Sequence, residues 1–126
     1  MIADTSVGVA ILNEEPEAET FKRILTATDN IRMSAASVLE LAIVFRERPG
    51  LAEKFIARTG IEVLDINAEH LHEAIRAHER FCRGSGSPAK LNFGDCFSYA
   101  AAKVTGEPLL FKGNDFTHTD IPSGVS

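Results

Sequence analysis

The chain has 126 residues, 44% of them hydrophobic and 25% charged, enough for one domain that buries about two thirds of its unfolded surface. No apolar run approaches the roughly 18 residues of a membrane span, and two cysteines without Cys-x-x-Cys spacing give neither a disulfide framework nor a zinc site. Thirteen Lys and Arg against 18 Asp and Glu leave a net charge of −5, which excludes long-range attraction of a polyanion and makes any nucleic-acid binding local.

Met1–Ile2–Ala3 predicts a short strand ending at Asp4, and Ser6 with Val7, Val9, Ala10 and Leu12 predicts a helix. A strand at the first residue leaves no room for a signal segment, so a soluble, cytoplasmic protein is expected. After Glu14–Glu15–Pro16, a second helix is predicted over 17–27, followed by a brief strand over 31–33. Ser34 or Ser37 can cap the next helix, apolar from Ala35 to Phe45 apart from Ser37 and Glu40. Its near-continuous hydrophobicity predicts burial.

A short helix over 51–58 leads through Gly60 to 61–66, the clearest strand pattern in the chain. The long helix predicted over 68–83 would place Leu71, Ala74, Ile75, His78 and Phe81 or Cys82 inward. Gly84–Ser85–Gly86–Ser87–Pro88 is predicted to be the most flexible stretch. A helix over 95–103 has an acid at its start, Phe97, Ala100, Ala101 and Val104 facing inward, and Gly106 beyond its end. The strand Leu109–Leu110–Phe111 then runs to Lys112–Gly113–Asn114–Asp115. Strands alternating with helices predict an α/β fold with a parallel sheet covered on both faces, binding ligands beyond its carboxyl strand ends.

Four acids, Asp4, Glu40, Asp95 and Asp115, each border an apolar run. Singly, Asp4 reads equally as a helix cap, Asp95 as a helix-start preference, Asp115 as a turn residue, and Glu40 as part of a polar stripe with Ser37 and Glu47. Glu40 resists that reading best, as the one charge between Arg32 and Arg46, because an unpartnered buried carboxylate costs several kcal/mol. The topology would bring all four to one rim. Two carboxylates about 4 Å apart repel by roughly 4 kcal/mol at an effective dielectric of about 20, so a group of four must hold protons or metal. No Lys, Arg or His recurs beside all four, and all-oxygen ligation suits Mg²⁺, with Mn²⁺ as substitute. Metal-assisted phosphodiester hydrolysis is the chemistry such a group predicts.

The sequence resembles the PIN-domain family, and more narrowly the VapC-type toxins of bacterial toxin–antitoxin pairs, over nearly its entire length. The resemblance rests on Asp4–Thr5–Ser6, on Met33–Ser34–Ala35–Ala36–Ser37 leading to Glu40, on Leu91–Asn92–Phe93–Gly94–Asp95–Cys96, and on Phe111 to Phe116 followed by Thr119–Asp120–Ile121. It implies a three-layer α/β/α fold around a short parallel sheet of four to five strands. It also implies an Mg²⁺-dependent ribonuclease that forms a homodimer and is inhibited by a VapB-type antitoxin. Asp4, Glu40, Asp95 and Asp115 would be its catalytic and metal-site acids, and Ser6 the hydroxyl that orients Asp4. Asn114 departs from the family at a position often occupied by another Asp, which bears on how strongly the fourth acid binds a second ion. Gly8 stands where a more helix-favouring residue is common, which bears on local helix stability.

Arg76, Arg80 and Arg83 form a basic stripe at i, i+4 and i+7, with Lys90 beyond the Gly/Ser segment. They can guide an RNA backbone, or form a solvated face paired with Glu69, Glu73 and Glu79. His78 is expected to pack inward. A rival class is the phosphoacceptor receiver domain, with Asp65 and Lys112 each ending a strand, although it leaves Glu40 and Asp95 without roles. An Asp-x-Asp phosphatase fails because position 6 is Ser. A PIN-like fold that only binds a partner is disfavoured by the presence of all four acids.

Overall fold

The first strand runs between two others that arrive later in the chain. The computed structural model describes residues 1–125, in which β1 (Ile2–Ala3) pairs in parallel with both β2 (Arg32–Ser34) and β4 (Leu109–Leu110), while β3 (Glu62–Leu64) pairs with the outer edge of β2. The sheet order is therefore β3-β2-β1-β4, with Ile2 opposite both Arg32 and Leu109. Arg32 and the Met1 amino group both meet Glu107 just before β4, which ties these strands together at their amino ends.

Successive residues of a strand point to opposite faces, and two-residue strands suffice to define the layers. Ile2 and Leu109 join the core formed by α5 (Ala68–Phe81) and α6 (Phe93–Thr105), with Tyr99, Phe81 and Phe116. Ala3 and Leu110 join the opposite core, built by α1 (Thr5–Leu12), α2 (Ala18–Ala27), α3 (Ala35–Val44) and α4 (Leu51–Thr59) around Val7, Phe21, Met33, Leu41 and Phe55. The fold is the expected three-layer α/β/α sandwich with a four-stranded parallel sheet. Past β4, Leu109 N–H donates to Pro122 O at 2.9 Å and Gly124 N–H to Leu109 O at 2.7 Å. The C-terminal segment thereby covers an edge that would otherwise be left unpaired.

Several expectations are corrected. The strand expected over 61–66 is only three residues long and lies at the sheet edge, where Val63 and Ile66 are exposed. One-sided pairing explains its brevity. In α3 only Ser37 and Leu41 are buried; Leu39, Ile43 and Val44 face outward. In α5 the inner face is His70, Ala74, Ala77 and Phe81, and Leu71, Ile75 and His78 are exposed. The two candidate inner stripes overlap on a helical wheel, and the smaller residues fit the close approach to α6. The expectation of flexibility over 84–88 is not among these corrections; at the base of that segment Leu91 N–H donates to Phe81 O at 2.9 Å and Ser85 N–H to Cys82 O at 3.1 Å. Gly8 does more than weaken a helix: a Cβ there would press on both Leu41 methyl groups at 3.0 Å, so its absence sets the approach of α1 to α3. No helix among the described residues is long and apolar enough to cross a membrane.

Candidate metal centre

Asp4 follows β1 and caps α1, its Oδ2 accepting from Ser6 N–H at 3.0 Å. The cap and the site are one arrangement, because Oδ1 remains to accept the Ser98 hydroxyl at 2.5 Å. Ser98 is fully buried and its Oγ also lies 3.0 Å from the Ser37 Oγ, while Thr5 Oγ1 donates to Ser37 O at 3.0 Å. Asp4, only 5% exposed, is therefore held directly from α1 and α6, with Ser37 of α3 behind Ser98.

Helix α6 starts two residues earlier than its sequence suggests, with Asn92 as its cap and Asp95 in its first turn. Asn92 Oδ1 accepts from Asp95 N–H at 2.9 Å, and Asp95 Oδ2 accepts from Asn92 N–H at 3.0 Å, a reciprocal capping box. Asp95 is only 8% exposed. Burial, opposed by the Asn92 N–H and reinforced by the charges of Asp4, Asp115 and Glu40, pushes its carboxyl up to about 7. Glu40 reaches from α3 to the first turn of α6, where a Cβ on Gly94 would overlap its carboxylate. Asp115 is exposed and follows Gly113, whose φ of 93° turns the chain back after β4.

All four acids line one cavity of about 380 Å³, beyond the carboxyl ends of β1 and β4 as expected of an open parallel sheet. Among the described residues, no three His, Cys, Asp or Glu side chains stand close enough to close around an ion as they are placed. The donor set is nonetheless all oxygen, and Mg²⁺ needs only one or two direct carboxylates because it keeps several waters. The residues fit such an ion.

Ser6 does not orient Asp4 through its hydroxyl; it does so through its backbone N–H, and its Oγ instead accepts from Lys112 N–H at 2.9 Å. The orienting hydroxyl is that of Ser98. Its spacing from Asp95, i to i+3 on one helix face, was the available signal, and Ser37 stands in the same relation to Glu40. Lys112 also lines the cavity, so a cation does stand beside the acids. Arg76, Arg80, Arg83 and Lys90 do not line it. Arg80 lies over the Phe81 ring and approaches Asp120 at 4.0 Å, and Arg83 lines a separate apolar groove between α5 and α6 with Leu71, Ile75 and Phe93. Asp65 and Lys112 follow β3 and β4, at opposite edges of the sheet and three strand spacings of about 4.8 Å apart. That separation removes the receiver-domain reading.

The chain belongs to the PIN-domain family, whose pattern it matches over residues 1–122. Within that family it is similar to ribonuclease VapC42 of Mycobacterium tuberculosis, 47% identical over 126 residues and covering 96% of each chain. Among solved structures it resembles the sarcin–ricin-loop-cleaving toxin VapC20 of Mycobacterium tuberculosis, with a TM-score of 0.72, 17% identity and 95% of each chain covered. A toxin–antitoxin complex from Klebsiella pneumoniae superimposes with the same TM-score at 13% identity, covering 94% of this chain and 92% of that one.

Proposed function

We propose that this protein is a metal-dependent endoribonuclease acting as the toxin of a type II toxin–antitoxin pair. One observation carries the reading: a buried Asp95 feels the charges of Asp4, Glu40 and Asp115, acids from four separate segments that share one cavity. Asp4 and Asp95 are the principal ligands for Mg²⁺ or Mn²⁺, with Glu40 and Asp115 completing the site. When bound, such an ion supplies an acidified water and charge stabilisation at the phosphate. The protein's own part is positional. Ser98 and the Ser6 N–H fix both oxygens of Asp4, the Asn92 N–H fixes one oxygen of Asp95, and Gly94 leaves room for Glu40. Water attack in line with the leaving 3′-oxygen gives 5′-phosphate and 3′-hydroxyl ends.

The cognate partner is a VapB-type antitoxin presenting a basic segment to the acids, in keeping with the chain's net charge of −5. The active form is a homodimer, supported by the outward-facing Leu39 and Ile43 of α3, which are 62% and 53% exposed. Both act in the cytoplasm, where RNA is at hand. Cleavage of a mixed RNA pool with Mg²⁺ or with EDTA, followed by mapping of the ends, tests reaction and cofactor together. Ends bearing 5′-phosphate, formed only with the ion, are expected; cleavage that persists in EDTA overturns the metal assignment, and an uncut pool overturns the ribonuclease reading.

A further inference from the structure

We infer that Lys112 is an RNA-binding residue of the acid cavity, its ammonium taking a phosphate oxygen of the strand beside the one held at the acids. The inference rests on the ribonuclease reading above and adds a residue that the acid pattern does not contain.

Lys112 supplies the one Lys, Arg or His side chain among the residues that line the cavity. Its position is registered to Asp4 by a short relay: Lys112 N–H donates to Ser6 Oγ at 2.9 Å, and Ser6 N–H donates to Asp4 Oδ2 at 3.0 Å. The side chain is 34% exposed, so a ligand entering the cavity can reach it. Its Nζ donates to Glu15 Oε1 at 2.6 Å and stands 3.5 Å from Glu17 Oε2. An ammonium has three donors. The close contact uses one and the distant contact engages a second only weakly, which leaves capacity for a phosphate oxygen without release from Glu15. Glu15 and Glu17 hold the cation charged and at the rim.

Local charge favours such a group. Glu15 lines the cavity beside the four acids, so even two divalent ions leave no positive charge there to draw in a polyanionic strand, on a protein of net charge −5. The arginines of α5 line no part of this cavity. Lys112 offsets Glu15 and supplies the one cationic donor among the cavity's lining residues that a phosphate oxygen can meet.

A competing role is mechanical: Lys112 can simply clamp the turn between α1 and α2 to the end of β4. The two roles separate in a binding experiment on the full chain carrying Asp95→Asn, using a fluorescein-labelled single-stranded RNA of mixed sequence and anisotropy across a salt series. Lys112→Met is expected to weaken binding about tenfold and to lower the slope of log Kd against log salt by about 0.7, the share of one phosphate contact on a single strand. Lys112→Arg is expected to keep both, and Glu15→Gln, which frees the ammonium, to tighten binding. An unchanged affinity and slope in Lys112→Met overturns the inference. So does a parallel loss of affinity and thermal midpoint in Lys112→Met and Glu15→Gln, the signature of a clamp. If the unsubstituted chain cuts RNA while Lys112→Met binds it unaltered, the lysine's role alone falls; if the parent chain neither cuts nor binds RNA, the ribonuclease reading falls with it.

Discussion

The hydroxyl of Ser98 donates to Oδ1 of Asp4 at 2.5 Å, joining residues 94 positions apart in a buried contact. The same hydroxyl touches Ser37, so one atom of α6 links the start of α1 to the buried side of α3. Removing it leaves a buried carboxylate oxygen and the Ser37 hydroxyl each without that partner.

Ser98→Ala is therefore expected to cost about 1–3 kcal/mol of stability and to weaken metal affinity or cleavage by about 10-fold or more. Calorimetric titration with Mg²⁺ beside thermal melts measures both. Unchanged ion affinity would show that the acid is oriented from elsewhere.

Gly94→Ala separates activity from folding. The added Cβ overlaps the mobile end of Glu40 and not backbone, so the glutamate must turn aside while the helix gains up to about 1 kcal/mol of propensity. Cleavage is expected to fall at least tenfold with the thermal midpoint unchanged or raised. An active Gly94→Ala enzyme would remove Glu40 from the site.

Asp95 sets a pH dependence with a definite sign. Its carboxyl is raised to about 7 in the folded chain, mainly by burial, whereas an unfolded Asp titrates near 3.9. Between about 4 and 7 the folded state holds the extra proton, so the ion-free protein loses stability as pH rises through that window, and the loss is complete above about 7. Asp95→Asn is expected to abolish cleavage, flatten this profile and raise the thermal midpoint in EDTA near pH 8 by roughly 5 °C. Melts across pH with and without Mg²⁺ check it; a parental profile that does not decline contradicts the assignment.

Leu39 and Ile43 lie one helical turn apart on the exposed face of α3. Replacing both with Glu is expected to convert a dimer to a monomer, read by light scattering after gel filtration, with little change in thermal midpoint measured at low concentration. A monomeric parent chain would refute the homodimer.

Asp4 and Asp95 were visible in the sequence because each ends or begins an element, and their cap roles turned out to coexist with membership of the shared cavity. Ser98 and Lys112 were harder to see: Ser98, between Phe97 and Tyr99, offers only its i, i+3 spacing from Asp95 until the helix is laid beside Asp4, and Lys112 meets the acids only through the pairing of β4 with β1. Apolar content misled at α3, where Leu39 and Ile43 are as hydrophobic as a core residue yet face outward. Hydropathy reports that a surface is to be covered, and not by which chain. The brevity of β3 likewise followed from its place at the sheet edge, which depends on partners far away in sequence.

Because β1 lies between β2 and β4, the strand at Ile2–Ala3 cannot find its second neighbour until Leu109–Leu110 has been made. At translation speeds of roughly 5–20 residues per second, several seconds pass between the synthesis of Asp4 and that of Asp115. Throughout that interval Asp4, Glu40, Asp95 and Asp115 cannot share one cavity.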